Sequence, residues 1–207
     1  MMMPDGRMPP IDDNEAVNFY MAGIMHSQHP DQAEHDMLLW MWDKGGRSIQ
    51  IPFLPDYLAQ FDDSTPEYNG PAALGWNPTG FFPESGFATF RNSWDTDGTY
   101  MLLLSEHGDA RIKGQAHEHP DPNSIILNAF GEMLLLDSGY GGWAEHDKTR
   151  FAENHNIILV DGEGPEAASK SFFWDANGVD ANLQKYFASQ QIDFAISETM
   201  YENTLFQ

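Results

Sequence analysis

The sequence predicts a mainly β protein, an antiparallel β-sandwich over residues 86–207 preceded by a short helical segment. Three observations carry this. From Gly86 onward, short apolar or alternating runs recur between turn residues. Before them, residues 13–44 place apolar side chains at helical spacing. Between the two lies a stretch broken by Pro52, Pro55, Pro66, Pro71, Pro78 and Pro83, which no regular element accommodates. The chain therefore divides into a helical segment (1–46), a Pro-rich linker (47–85) and the sandwich (86–207).

The helical part starts where Asp12, with Glu15 three residues later, can form a capping box. Val17, Tyr20, Met21, Ile24 and Met25 then share a face. His29-Pro30 interrupts. Pro30 suits the first turn of a second helix, with Asp31 and Glu34 at its positive end. Leu38, Leu39, Met41 and Trp42 give that helix an apolar face, and Lys44-Gly45-Gly46 ends it. In the linker, Asp62-Asp63-Ser64 and Asn69-Gly70 add turn chemistry. The predicted strands are Phe87–Trp94, Tyr100–Ser105, Ser124–Ala129, Glu132–Leu136 and Asn156–Val160, with Phe172–Trp174 and Ile192–Ser197 beyond. Asp95-Thr96-Asp97-Gly98 turns the first into the second, and Phe130-Gly131 separates the third and fourth. Ser197–Gln207 enters a further strand with no stop signal, so the pattern reads as a piece of a longer protein, truncated at its C-terminus.

Composition limits the function. Among 207 residues, 32 are acidic and 10 basic, a formal net charge of -22. A surface this acidic argues against non-specific binding to nucleic acid or anionic membranes, both of which need basic surface. No apolar run is long enough to span a bilayer, and Met1–Gly6 lacks the basic start and apolar stretch of a signal peptide. Without cysteine, any metal site must be built from histidine and carboxylate.

Such a pattern exists at His117-Glu118-His119-Pro120-Asp121, with Asp137 and His155-Asn156 downstream. Pro120 and Pro122 push His119 and Asp121 toward extended backbone. Residues two apart then share a face, so His117, His119 and Asp121 point together and Glu118 points away. If Phe130-Gly131 is a tight loop, Ala129 pairs with Glu132, and stepping back pairs Ser124 with Asp137. A strand antiparallel to Glu132–Leu136 would begin with His155 at the same end. Two imidazoles and a carboxylate at one sheet edge suit zinc, although iron and manganese use the same donor types. The competing reading is a pair of hydrogen-bonded structural histidines with Asp137 capping the Gly139 turn. A cation nearby would keep His117 neutral and available as a base. The remaining histidines read as surface or loop residues.

Phe90-Arg91-Asn92-Ser93-Trp94, His117-x-His119-x-Asp121-x-x-Ser124, Leu135-Leu136-Asp137-Ser138-Gly139 and His155-Asn156 before Asp161-Gly162 together resemble the heparinase II/III-like polysaccharide lyases, which include alginate, oligo-alginate and heparan lyases. The likeness covers residues 86–165 well, and Pro4–Pro9 with the following helices resembles the end of the preceding helical region. It implies an α/α toroid, mostly upstream of this chain, followed by the sandwich. It also implies a largely structural zinc on His119, Asp137 and His155, His117 facing the substrate cleft, and Asp121 in support. The implied activity is that of a carbon–oxygen lyase: β-elimination on a uronic-acid polysaccharide or oligosaccharide, in a periplasmic or secreted parent protein. A homodimer is compatible with it. Arg91, Arg150 and Tyr140 are the substrate-binding candidates; Arg111 and Lys113 could also offset the acidic charge. Two departures matter. The family's toroid-borne tyrosine, histidine and asparagine are absent from this chain. Where many members carry a tyrosine just before the His-Asn pair, Phe151 and Asn154 stand here.

Two other functions fit the residues. A cupin-type metal enzyme also uses His-x-His, but it would want a glutamate shortly after the second histidine, where Asp121 stands. A non-catalytic carbohydrate-binding module with a structural metal would keep the ligands and dispense with His117.

Overall fold

The structure is a computed structural model that describes residues 1–18, 31–48, 67–108, 117–162, 164, 181–201 and 204–206. Its helix α1 spans Gln32–Lys44. Asp31 caps it by accepting from the N–H groups of Ala33 and Glu34 (2.9 and 3.1 Å). Gly45 donates back to Met41 and Arg47 to Trp42, with Gly46 at φ 68°, so the expected stop falls on the glycine pair. Leu39 and Trp42 are buried beneath it.

No helix begins at Asp12. Residues 11–18 form turns, and Asn18 bridges antiparallel to Arg7. Asp12 has φ 50° and spends its carboxylate on the His119 N–H rather than on a capping box (2.9 Å). Tyr20, Met21, Ile24 and Met25 lie outside the described residues, as do Arg111, Lys113 and Phe172–Trp174.

Two antiparallel sheets form the sandwich. The first has the sequential order β1 (Gly80–Phe82), β2 (Phe87–Arg91), β3 (Tyr100–Leu104), β4 (Ile125–Ala129) and β5 (Glu132–Leu135). The second holds β6 (Ala181–Phe187), β7 (Phe194–Tyr201) and β8 (Thr204–Phe206). The β1 strand falls in the stretch read as linker, so the sheet begins at Gly80 and not at Phe87. Pairing follows the turns. Ala129 faces Glu132 across Phe130 (φ 59°) and Gly131 (φ 75°), the two left-handed positions that a two-residue hairpin demands. A register shift between Leu127 and Asn128 then sets Leu127 opposite Leu135, which offsets the expected Ser124–Asp137 pairing by one.

Alternation on β3 separates the faces. Tyr100, Leu102 and Leu104 are buried with Phe87, Ile126 and Met3, and Ile11, Ala16 and Met133 pack against them. The N-terminal segment thus lies across this face of the sheet. The second sheet is joined at Ser105–Ser197, at Thr79–Asp193 and by Ala181 N–H to the Glu106 carbonyl (3.0 Å).

Asn156–Val160 is not a strand. After the 3-10 turn Ala152–Asn154, the Asn156 amide ties the chain to two sheet carbonyls, Ile125 (3.0 Å) and Leu136 (2.6 Å). Side-chain anchoring replaces a backbone ladder here, and Ile158 stays exposed.

Candidate metal centre and catalytic face

Three segments meet at the sheet edge. His119 and Asp121 come from the extended run before β4, Asp137 follows β5, and His155 follows the 3-10 turn. All four are buried. The Asp137 carboxylate accepts the Gly139 N–H on Oδ1 (2.9 Å) and the His155 Nδ1–H on Oδ2 (2.8 Å). The turn cap and the histidine contact therefore coexist on one side chain. With Nδ1 engaged, His155 turns Nε2 inward, where that atom is buried and makes no hydrogen bond.

Asp121, Asp137 and His155 each bring a ligand atom within 4.8 Å of the others. Two buried carboxylates beside an imidazole with an unused lone pair form a donor set that a small cation satisfies well. These residues fit a metal. His119 stands next to this trio, its ring 5.1 Å from that of His155. Its own close group is a second one, with Asp13 and His146. The expected set of His119, Asp137 and His155 is thus spread over two adjoining groups that touch at the two rings, and Asp121 belongs with the metal-type donors.

Asp13 organises the second group. One oxygen contacts Nε2 of both His119 (3.0 Å) and His146 (2.8 Å); the other contacts Nδ1 of His117 (2.9 Å). Burial would raise the Asp13 carboxyl, but the bonds from His119 and His117 and the nearby His146 outweigh it and hold it below the usual carboxylate range. His119 is pushed down to about 4, chiefly by burial, against the opposing pull of Asp13. At neutral pH it therefore carries one ring proton. An ionised Asp13 can only accept, so that proton sits on Nε2 and the lone pair on Nδ1. For His155, burial favours the neutral ring, yet Asp137, Asp121 and the Arg150 carbonyl prevail and raise its pKa.

His117 differs from its neighbours. Its side chain is 77% exposed, while the His119 side chain two residues on is fully enclosed. Glu118 leaves the histidines for a separate acidic group with Asp12 and Glu106. Burial, then the charges of Asp121, Glu106 and Glu118, raise the Asp12 carboxyl well above its usual value. Tyr140 lies edge-on to His146 (5.7 Å), and exposed Trp143 stacks on the same ring (6.1 Å, 11°). Arg150 is buried beside Phe151. Arg91 bonds the Met2 carbonyl and lies over Tyr100 (4.4 Å). A cavity of about 1080 Å³, between Phe90, Met101, Leu103 and Leu127 of the first sheet and residues 188–195, includes Arg91 but no other candidate site residue.

Asp13 and His146 escaped the sequence reading. Asp13 lies 104 residues before His117, so no spacing rule connects them. His146 offered a faint signal, as a histidine in the glycine-rich loop between Asp137 and His155.

The family described as Heparinase II/III-like, C-terminal, matches residues 77–199. The chain belongs to this family. That membership displaces the cupin reading. Among solved structures, heparinase III matches with a TM-score of 0.64 and 16% identity, over 96% of this chain and 27% of that one. The heparan sulfate lyase HepC from Pedobacter heparinus matches with a TM-score of 0.55 and 17% identity, over 96% and 26%. At these identities the likeness establishes the fold, and this chain spans about a quarter of the length of either structure. No curated protein matches the sequence. No described helix is long and apolar enough to cross a membrane.

Proposed function

We propose that this chain is the sandwich portion of a polysaccharide lyase that cleaves a uronic-acid polymer of alginate or heparan type by β-elimination. The observation that carries this reading is the contrast within one segment. His117 is exposed, and two residues later begins a buried donor set with the inward-facing Nε2 of His155. Catalysis at an open face beside a pinned metal centre needs that division.

In the reaction, a base removes the proton from C5 of the uronate. The electron pair forms the C4–C5 double bond as the C4–O bond breaks, and an acid protonates the leaving oxygen. His117 is the base candidate, with Nδ1 held by Asp13 and Nε2 available. Neutralising the substrate carboxylate acidifies the C5 proton, and the groups for that come from the toroid of the parent protein. Zinc on His119, Asp137 and His155, with Asp121 beside them, would fasten three segment ends together and supply no proton chemistry. Substrate contacts from Tyr140, Arg91 and Arg150, and a periplasmic or secreted parent protein, belong to the same proposal.

The test is the parent protein with alginate and with heparan sulfate, followed by the ultraviolet absorbance of the conjugated unsaturated uronate. Product that disappears in His117→Ala supports the reading. Absence of product on every uronate polymer sinks it, and glycan binding that survives His117→Ala with no turnover in the wild type favours a non-catalytic module. Metal analysis of the same preparation should return zinc.

A further inference from the structure

We propose that Asp13 is a positioning residue: its carboxylate takes the Nδ1–H of His117 and the Nε2–H of His119 together, fixing which nitrogen of each ring faces its task. The inference rests on the lyase reading for its catalytic meaning, but its structural content stands alone.

The geometry has three parts. First, the two oxygens of Asp13 divide the work, Oδ2 to His117 at 2.9 Å and Oδ1 to His119 and His146 at 3.0 and 2.8 Å. A carboxylate presents about four lone-pair sites, so it can accept from all three rings at once. Second, the rings use different nitrogens. His117 is held through Nδ1, which leaves Nε2 toward solvent. His119 is held through Nε2, which leaves Nδ1 on the buried side, where its ring meets that of His155 at 5.1 Å. Third, Asp13 is itself fixed. Its N–H donates to the His117 carbonyl (3.1 Å), and Asp12 beside it accepts the His119 N–H. Two consecutive aspartates thus clamp both backbone and rings of the His117–His119 segment.

Carboxylates that orient a metal-binding histidine through its second nitrogen set ring angle and basicity, and losing one costs about 10- to 100-fold in metal affinity or activity. Here one carboxylate would do this for the metal-side ring and for the exposed base, so the two are oriented by the same group.

Asp13→Asn is the discriminating variant. It keeps the size and one acceptor oxygen, but its NH₂ group replaces the other oxygen and cannot accept from a ring N–H, so His117 and His119 can no longer both be held. NMR of the histidine ring nitrogens in this 207-residue chain reads the tautomers without substrate. The wild type should show His117 protonated on Nδ1 and His119 on Nε2. Asp13→Asn should move His117 toward the Nε2–H form and weaken zinc binding about 10- to 100-fold, with thermal unfolding still cooperative. In the parent enzyme, kcat should fall with KM little changed. Wild-type His117 protonated on Nε2 overturns the assignment, and so does an Asp13→Asn chain whose tautomers and zinc affinity match the wild type. If Asp13→Asn does not fold, the wild-type tautomers alone decide. A wild-type parent with no lyase activity would remove the proposed function and leave the Asp13 assignment intact.

Discussion

His155 shows how one side chain is committed at one end and held ready at the other. Asp137 takes its Nδ1–H, and its Nε2 is buried without a hydrogen bond. Leaving such an atom unsatisfied costs about 1–3 kcal/mol, which a bound cation would recover. His155→Ala should therefore abolish stoichiometric zinc binding, measured by metal analysis after dialysis. A chelator should lower the melting temperature of the wild type and leave that of the variant unchanged, because binding only to the native state stabilises it by mass action. Equal melting shifts in both chains would place the metal elsewhere. That Asp137 returns to the sheet edge of the His119 segment was legible, because a two-residue hairpin brings it back; His155 arrives there through the Asn156 anchors and not through the strand the sequence suggested. The sequence placed Asp121 beside them as a support, and the clamp by Asp13 was not legible. That clamp depends on a tertiary contact with a distant segment.

Elements were legible where local chemistry decides them. Gly45 ends α1 as read, whereas Asp31, read as lying in the first turn, is the N-cap, so the helix begins at Gln32. The β4–β5 hairpin was legible because Phe130-Gly131 leaves one closure. The β1 and β6 strands were not, since one is three residues among prolines and the other runs from a buried Ala181 to exposed Tyr186 and Phe187 without clean alternation. Outside the sheets, α1 is tied to the chain that follows by Asp36. This buried carboxylate accepts the Asn69 N–H (3.0 Å), the Asn69 amide (3.2 Å) and Gln32 (2.6 Å). Burial would raise the Asp36 pKa, but these bonds overcome it and lower it. A depressed carboxyl contributes stability that is full above its unfolded value, roughly 3.9, and lost as pH falls through the folded one. The wild type should hold this contribution down to about pH 4 and lose it below that. Asp36→Ala removes the acceptor from buried donors and should cost about 1–3 kcal/mol at neutral pH by urea denaturation. Its stability should also fall less steeply in acid. An acid limb identical to the wild type would show that Asp36 is not ionised in the fold.

Across the whole molecule, the N-terminal segment serves both the core and the site. Met3 is fully buried among Phe87, Tyr100, Leu102, Leu104 and Ile126, and the Tyr100 hydroxyl donates to the Met1 carbonyl (2.6 Å). A few residues on, Asp12 and Asp13 hold His117 and His119, and Asn14 receives the Tyr140 N–H (3.1 Å). At the same crossing lies Gly139, at φ +51°, where a Cβ would stand 2.3 Å from the Asn14 carbonyl oxygen. A substitution in the core and one at this crossing should therefore fail differently. Met3→Ala leaves a cavity and should cost about 2–5 kcal/mol in urea denaturation, with zinc affinity per folded molecule unchanged. Gly139→Ala must separate the loop after Asp137 from the Asn14 segment. It should lower zinc affinity and disturb the His117 ring signals while the near-ultraviolet signature of the core survives. Should Met3→Ala weaken zinc as much as Gly139→Ala does, core packing and site geometry would be one cooperative unit rather than two joined at Asn14.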